Sequence, residues 1–285
     1  VVAIDDASIN AIGRWPWPRD VHAELIERLQ AAGARTMAHT VFFFEPQTDR
    51  GLAPLIRLRE RIEGGDPALA DLGPLAREGL LAELRAAQER LDSDARLAGS
   101  VRASGRVVLP AVFELGEPRG RPDAPLPAFV QRNALPDVAG YGVSAQRALL
   151  PLPALAEGVA AIGHLNQWLD PDGAVRREAL LVRFDGVAVP SMALATAAHS
   201  LNLSVTDMAL RPGEAMVLGP SVIPTDEEAR VLPQYYADRN GASAFPTVSF
   251  HDVLAGRVAP DLLRDRIVIV GATAVGVGTL FNTPI

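Results

Sequence analysis

The first apolar run, Val1-Val2-Ala3-Ile4, is short, unbroken and closed at once by Asp5, a pattern that predicts a buried strand over residues 1–5. A loop carrying Gly13 and Trp15-Pro16-Trp17-Pro18 follows. Over residues 19–32 apolar side chains recur at Val21, Leu25, Leu29 and Ala32, one face of an amphipathic helix. Asp20 is the candidate N-cap, and Gly33 stands where a C′ glycine ends a helix. Residues 36–44 read as a second apolar strand. The opening is therefore strand–helix–strand, the unit of a parallel sheet.

Residues 47–105 are polar and helical in character. The longest stretch, 78–104, carries Leu80, Leu81, Leu84, Leu91 and Leu97 at roughly helical spacing. A third strand is expected over 107–113. From 114 to 153 the chain is rich in Pro, Gly and Arg and reads as a surface excursion. Residues 159–168, the turn Asp170-Pro171-Asp172-Gly173 and residues 175–184 read as a β-hairpin. A second turn at Asp185-Gly186 leads to a helix over 191–201. Short strands fill 216–236, a short helix covers 249–254, and 266–270 is a final buried strand closed by Gly271-Ala272-Thr273. The pattern predicts an α/β fold: a mixed, largely parallel central sheet flanked by helices, with a second half rich in β-hairpins.

Composition narrows the chemistry. The 285 residues are 48% hydrophobic and 21% charged, which suits a globular domain with a substantial core. A net charge of -7 argues against a nucleic-acid partner. No apolar run approaches the roughly 18 residues of a membrane span. The absence of Cys removes thiol nucleophiles, thiolate metal sites and disulfides. All 27 basic residues are Arg, so neither a Schiff-base lysine nor a Walker lysine exists. The glycine-rich stretch 271–278 lacks the Gly-Lys-Ser/Thr ending of a phosphate loop and reads as a turn. Asp170-x-Asp172-Gly173 lacks an acid at the twelfth loop position, where Leu181 stands, and reads as a turn too. The five histidines, His22, His39, His164, His199 and His251, are scattered without metal-ligand spacing.

One place gathers polar candidates. Asp5 ends the first strand and Glu45 the second, so parallel strands would put both at the sheet's carboxyl edge, where Arg19 and Thr273 could join them. The alternative is a set of loop caps and salt bridges. Trp15 and Trp17 between prolines are either a rigid wall for a ligand or a plug over the sheet edge.

Ordered motifs over nearly the whole chain resemble one family. They begin with Val2-Ala3-Ile4-Asp5-Asp6-Ala7-Ser8, Gly13-Arg14-Trp15-Pro16-Trp17-Pro18-Arg19 with His22, and Phe43-Phe44-Glu45-Pro46. They continue through Val107-Val108-Leu109-Pro110, Gly163-His164-Leu165-Asn166 and Pro190-Ser191-Met192-Ala193-Leu194-Ala195. They close on Phe245-Pro246-Thr247-Val248-Ser249-Phe250 and Val270-Gly271-Ala272-Thr273-Ala274. Together these resemble the CHASE2 sensor domains of bacterial membrane-bound serine/threonine kinases, histidine kinases and nucleotide cyclases. Two positions depart from many members, which carry Asp where this chain has Thr40 and Thr279. The stretch 47–92 resembles chiefly members attached to serine/threonine kinases.

The resemblance implies a single sensor domain over residues 1–285, truncated at both ends. It would sit on the extracytoplasmic (periplasmic) face of the bacterial inner membrane, joined through flanking membrane helices to a cytoplasmic effector. The expected partner is a small molecule of unknown identity, with a homodimer as an open expectation. Neither cofactor, metal nor catalytic residue is expected. The ligand-contact set is Asp5, Trp15, Arg19, His22, Glu45, His164, Asn166 and Thr273. Two rival expectations are a soluble metal-assisted hydrolase built on Asp5 and Glu45, and a structural module that binds only a partner.

Overall fold

The computed structural model describes residues 1–47, 49–69, 72–118, 120, 126–136, 138, 140–237, 243–278 and 281–283. The opening is as the pattern predicts: β1 (Val2–Ile4), α1 (Asp6–Ile12), α2 (Arg19–Ala31) and β2 (Thr36–His39). Three helices follow, α3 (Leu52–Glu63), α4 (Pro74–Leu91) and α5 (Ser93–Ser104), before β3 (Val107–Leu115). The middle of the chain holds α6 (Ala128–Gln131), β4 (Leu135–Pro136), β5 (Val143–Leu149), α7 (Pro153–Ala156) and β6 (Ala161–His164). Next come β7 (Glu178–Ala179), β8 (Leu181–Phe184), β9 (Val187–Pro190) and α8 (Met192–Ser200). The last part contains β10 (Met208–Arg211), β11 (Ala215–Leu218), β12 (Ser221–Pro224), β13 (Arg230–Val231), β14 (Val248–Ser249), α9 (Phe250–Leu254) and β15 (Ile267–Ala272).

A ten-stranded sheet organises the fold. The block β14-β1-β15-β2-β3-β6 is parallel throughout, with β15 inserted between the first two strands of the chain. Beyond its parallel stretch, β3 runs on to pair antiparallel with β5, and the sheet continues through β8, β9 and β4. The antiparallel ribbon β10-β11-β12 stands apart. The fold is thus mixed α/β, with a largely parallel main sheet and hairpins in the second half.

Burial explains the pairing. On one face of the parallel block, Val2, Ile4, Met37, Val107, Leu109, Val268 and Val270 meet Leu25, Ile26 and Leu29 of α2, with Leu97 and Val101 of α5 in the same core. The opposite face carries Ala38 and Val108 beneath Met192 and Ala195 of α8. Alternate residues of β3 therefore enter different cores, as expected for a parallel strand covered on both faces. α2 ends where Gly33 takes a positive φ of 80°, with its N–H on the Gln30 carbonyl. α8 starts at Ser191, whose side chain accepts from Leu194 N–H, and the β8–β9 turn is carried by positive φ at Asp185 and Gly186.

Five local expectations need correction. α2 begins at Arg19 as read, but its N-cap is Pro18, and Asp20 lies in the first turn instead of capping it. The second strand stops at His39 rather than running to 44. The helix read over 78–104 breaks at Asp92, which leaves helical geometry and caps α5 by accepting from Ala95 N–H. The stretch 114–153 is more than surface: it supplies β5, and Leu126, Phe129, Val130, Leu135 and Ala145 are buried. Its apolar residues are too few and too widely spaced to show a period, and β5 exists because β3 offers it an edge. The hairpin over 159–184 survives only at its tip, where Trp168 and Arg177 bridge across the Asp170–Gly173 turn. Its first arm, β6, pairs with β3 instead, which buries Ile162 and His164.

β6 and α8 approach so closely that a Cβ on Gly163 would lie 2.5 Å from Met192 Cα. Neither backbone can yield without breaking the cover over β3. Gly163→Ala is expected to lower unfolding free energy by about 3 kcal/mol, read from urea unfolding. An unchanged midpoint would contradict this packing.

Candidate functional site

Because the main block is parallel, the carboxyl ends of β1, β15, β2 and β6 share one edge, and the predicted ligand-contact residues lie at or just beyond it. The structure sorts them into clusters with different chemistry.

Asp5 follows β1 and caps α1. Its Oδ1 accepts from Ser8 N–H at 2.8 Å, Ser8 Oγ at 2.5 Å and Ser249 Oγ at 2.9 Å. Ser8 Oγ also accepts from His251 N–H at 3.1 Å, tying α1 to α9. Partial burial works to raise the Asp5 pKa, but the hydrogen bonds from Ser8 and Ser249 outweigh it and hold the carboxyl below its ordinary value. Thr273 is beside it in the fold: its N–H donates to Ile4 carbonyl at 3.0 Å, and its side chain is exposed. The exits of the first and last strands are thereby joined.

Next to this cluster lies a box of rings. Trp17 is buried, with its indole N–H on the Gly13 carbonyl at 2.8 Å, and half-buried Trp15 meets it edge-on at 5.1 Å. Both pack on His22, as do Phe43 and Phe250 at 5.3 and 5.8 Å. The tryptophans therefore plug the sheet edge. His22 Nδ1 lies 3.2 Å from His39 Nε2, so one imidazole donates to the other in the dry interior of the box. Both rings are 1% exposed, and His39 Nδ1 is buried without a hydrogen-bond partner. Burial above all, then His39 and Arg19, holds His22 well below its ordinary pKa. Burial likewise pushes His39 down to about 4. His39 was absent from the predicted set. A histidine inside a strand gives no sequence sign of a partner one helix away.

Arg19 lies over the outer side of this box. Its guanidinium sits 4.6 Å from the Phe43 ring centre, bonds Asp94 Oδ1 through Nε at 3.3 Å and donates through Nη2 to the Glu45 carbonyl at 3.1 Å. Gln47 completes the tie: its Oε1 accepts Arg19 N–H and its own N–H donates to Asp94, both at 2.8 Å. Glu45 itself lies six positions beyond β2, so the expectation that it ends the strand is corrected, and its side chain is exposed. Asp94 and Gln47 join the site unforeseen, through a first helical turn and a loop amide.

His164 and Asn166 form a separate strut. The Asn166 amide brackets Phe113 of β3, accepting its N–H at 2.9 Å and donating to its carbonyl at 2.6 Å. His164 Nδ1 accepts from Asn166 N–H at 3.4 Å, and burial pushes its pKa down to about 3. Thr40, where many resembling sequences carry Asp, donates its hydroxyl to the Val270 carbonyl at 2.8 Å and thereby seals β2 to β15. Thr279 lies outside the described residues. Among those residues, no group of three or more His, Asp or Glu could hold a metal ion.

The histidine pair makes stability depend on pH. Both folded-state pKa values lie below the unfolded value of about 6.5, so below it the unfolded chain binds more protons than the native state. Stability is then complete above about pH 6.5 and falls as pH drops toward 4. His39 alone contributes a loss on the order of 2–3 kcal/mol across that window. Urea midpoints between pH 4 and 7 should show this slope, and His39→Gln should make it shallower, the part due to His22 and His164 remaining. Equal slopes in both proteins would contradict the pairing.

Compared with known families, the whole chain, residues 1–285, matches the model of the CHASE2 domain. No curated protein and no solved structure matches it. CHASE2 domains are extracellular sensory domains of transmembrane receptors. Among the described residues, no helix is long and apolar enough to cross a membrane. With its parallel sheet and the motif residues gathered at one edge of it, the chain belongs to the CHASE2 family.

Proposed function

We propose that residues 1–285 sense a small molecule on the extracytoplasmic face of a bacterial inner membrane and pass its presence through membrane helices to a cytoplasmic kinase or cyclase. One observation carries the reading beyond family membership. The N–H groups of Thr273 and Ala274 both donate to the Ile4 carbonyl, so the exits of the first and last strands meet at the sheet's carboxyl edge. A ligand seated there touches the exits of both strands at once. If it binds one arrangement of these exits better than another, it shifts their populations, and segments joined to them carry the shift away.

The ligand-facing candidates within this reading are exposed Glu45 and Thr273 with half-buried Asp5 and Arg19. Trp15 and His22 form the floor that keeps water from the core beneath. His164 and Asn166 act as a structural strut. Catalysis has no place in this scheme. The hydrolase alternative needs the Asp5 and Glu45 carboxylates on one metal, whereas Asp5 Oδ1 already accepts from Ser8 and Ser249, and Glu45 meets Arg19 through its carbonyl with its side chain exposed.

The test is topological. Alkaline phosphatase, which folds to activity only after export, is joined to the natural gene after Ile285, and β-galactosidase is joined there in a parallel strain. Phosphatase activity without β-galactosidase activity is the expected result. The reverse pattern places the domain in the cytoplasm and overturns the proposal.

A further inference from the structure

β15 is hydrogen-bonded on both sides, to β1 and to β2, and its side chains alternate sharply. Val268 and Val270 are buried in the main core, whereas Ile267 and Ile269, on the opposite face, are each 45% exposed. A parallel strand between two neighbours is ordinarily covered on both faces. Here α8 covers β2, β3 and β6 on that face, and Ala38, which pairs with Ile269, lies under it. Over β15 the described residues leave that face open. Ile267 and Ile269 line an open groove with Leu262, 55% exposed, and Phe245, 55% exposed. Tyr236, 56% exposed, packs edge-on against Phe245 at 5.5 Å and extends the patch. Asp261 and Arg266 stand in the groove lining beside these apolar groups.

We propose that a second copy of this chain covers this face, through a two-fold contact centred on β15. Three properties favour that occupant. The five apolar side chains expose on the order of 500 Å² per copy, so a two-fold contact covering them would bury about 1,000 Å², the lower bound for a specific interface. Their composition, isoleucine, leucine, phenylalanine and tyrosine, is that of an interface core, with charge confined to the margin. The margin also carries both signs, Arg266 and Asp261, the latter 3.3 Å from Arg264 of its own chain, which suits a self-contact in a chain of net charge -7: a two-fold axis lets each Arg266 face the other copy's Asp261. An anionic membrane surface would instead meet a molecule of net charge -7.

The surface is independent of the sensing proposal, and so is its test. Sedimentation equilibrium of the purified domain should show a monomer–dimer equilibrium at micromolar concentrations. Ile269→Glu, at a position already half in water, should weaken it by about tenfold or more while leaving the circular dichroism spectrum and urea midpoint unchanged. The exposed pair gives a second reading: Asp261→Arg should weaken the dimer, and adding Arg266→Asp should restore it. A wild type monomeric at every concentration, or a dimer indifferent to Ile269→Glu and to the charge exchange, overturns the proposal.

Discussion

The fold rests on the insertion of β15 between β1 and β2. Val2 pairs with Val270 and Met37 with Val268, so the last described strand completes a sheet that the first forty residues begin. Without it β1 and β2 have no common neighbour, and Val268 and Val270 leave the core they share with α2. Such pairing is as non-local as the chain allows. It is settled by burial, since short parallel strands hold together by what covers their faces rather than by local propensity.

The same insertion places the chemistry. Strand polarity puts Asp5, Thr40, Thr273 and the ring box at one edge, and the polar groups there are largely spent on one another. Asp5 is engaged by two serines, Thr40 by the Val270 carbonyl, and Arg19 by Asp94, the Glu45 carbonyl and the Phe43 face. The His22–His39 pair sits beneath as a neutral, buried contact whose protonation the surroundings oppose, from dry rings on every side to the Arg19 cation. An edge built this way is pre-organised: a ligand that recruits any of these groups must compete with an internal partner, and that competition is how occupancy could move the exits of β1 and β15.

Much of this was legible in the sequence because the signals are local. The Val2–Ile4 run, the α2 stripe with Gly33, the helix after Pro190 and the Asp185-Gly186 turn each carry their cause within a few residues. What escaped depends on distant partners. β5 alternates weakly, only Ala145 among its residues being buried, and it forms against the extension of β3. β6 resembled a hairpin arm because the Asp170–Gly173 turn is a real turn, yet its partner is β3, some fifty positions earlier in the chain. Asp92 interrupts an apolar spacing that continues across it, so periodicity alone joined α4 to α5. In the site, polarity rules found the edge, but the His22–His39 contact and the Asp94–Arg19 tie join elements the sequence separates.

The central claim, that the joined exits of β1 and β15 are where the domain reads its ligand, is tested most directly by effector output from the full-length receptor in its native membrane. Thr273→Arg places a bulky cation on an exposed side chain at those exits, and Leu75→Arg places the same cation on a fully solvated turn of α4 as a control. At matched membrane abundance, Thr273→Arg should change output severalfold while Leu75→Arg leaves it at the wild-type level. Equal outputs from both variants and the wild type would contradict the account.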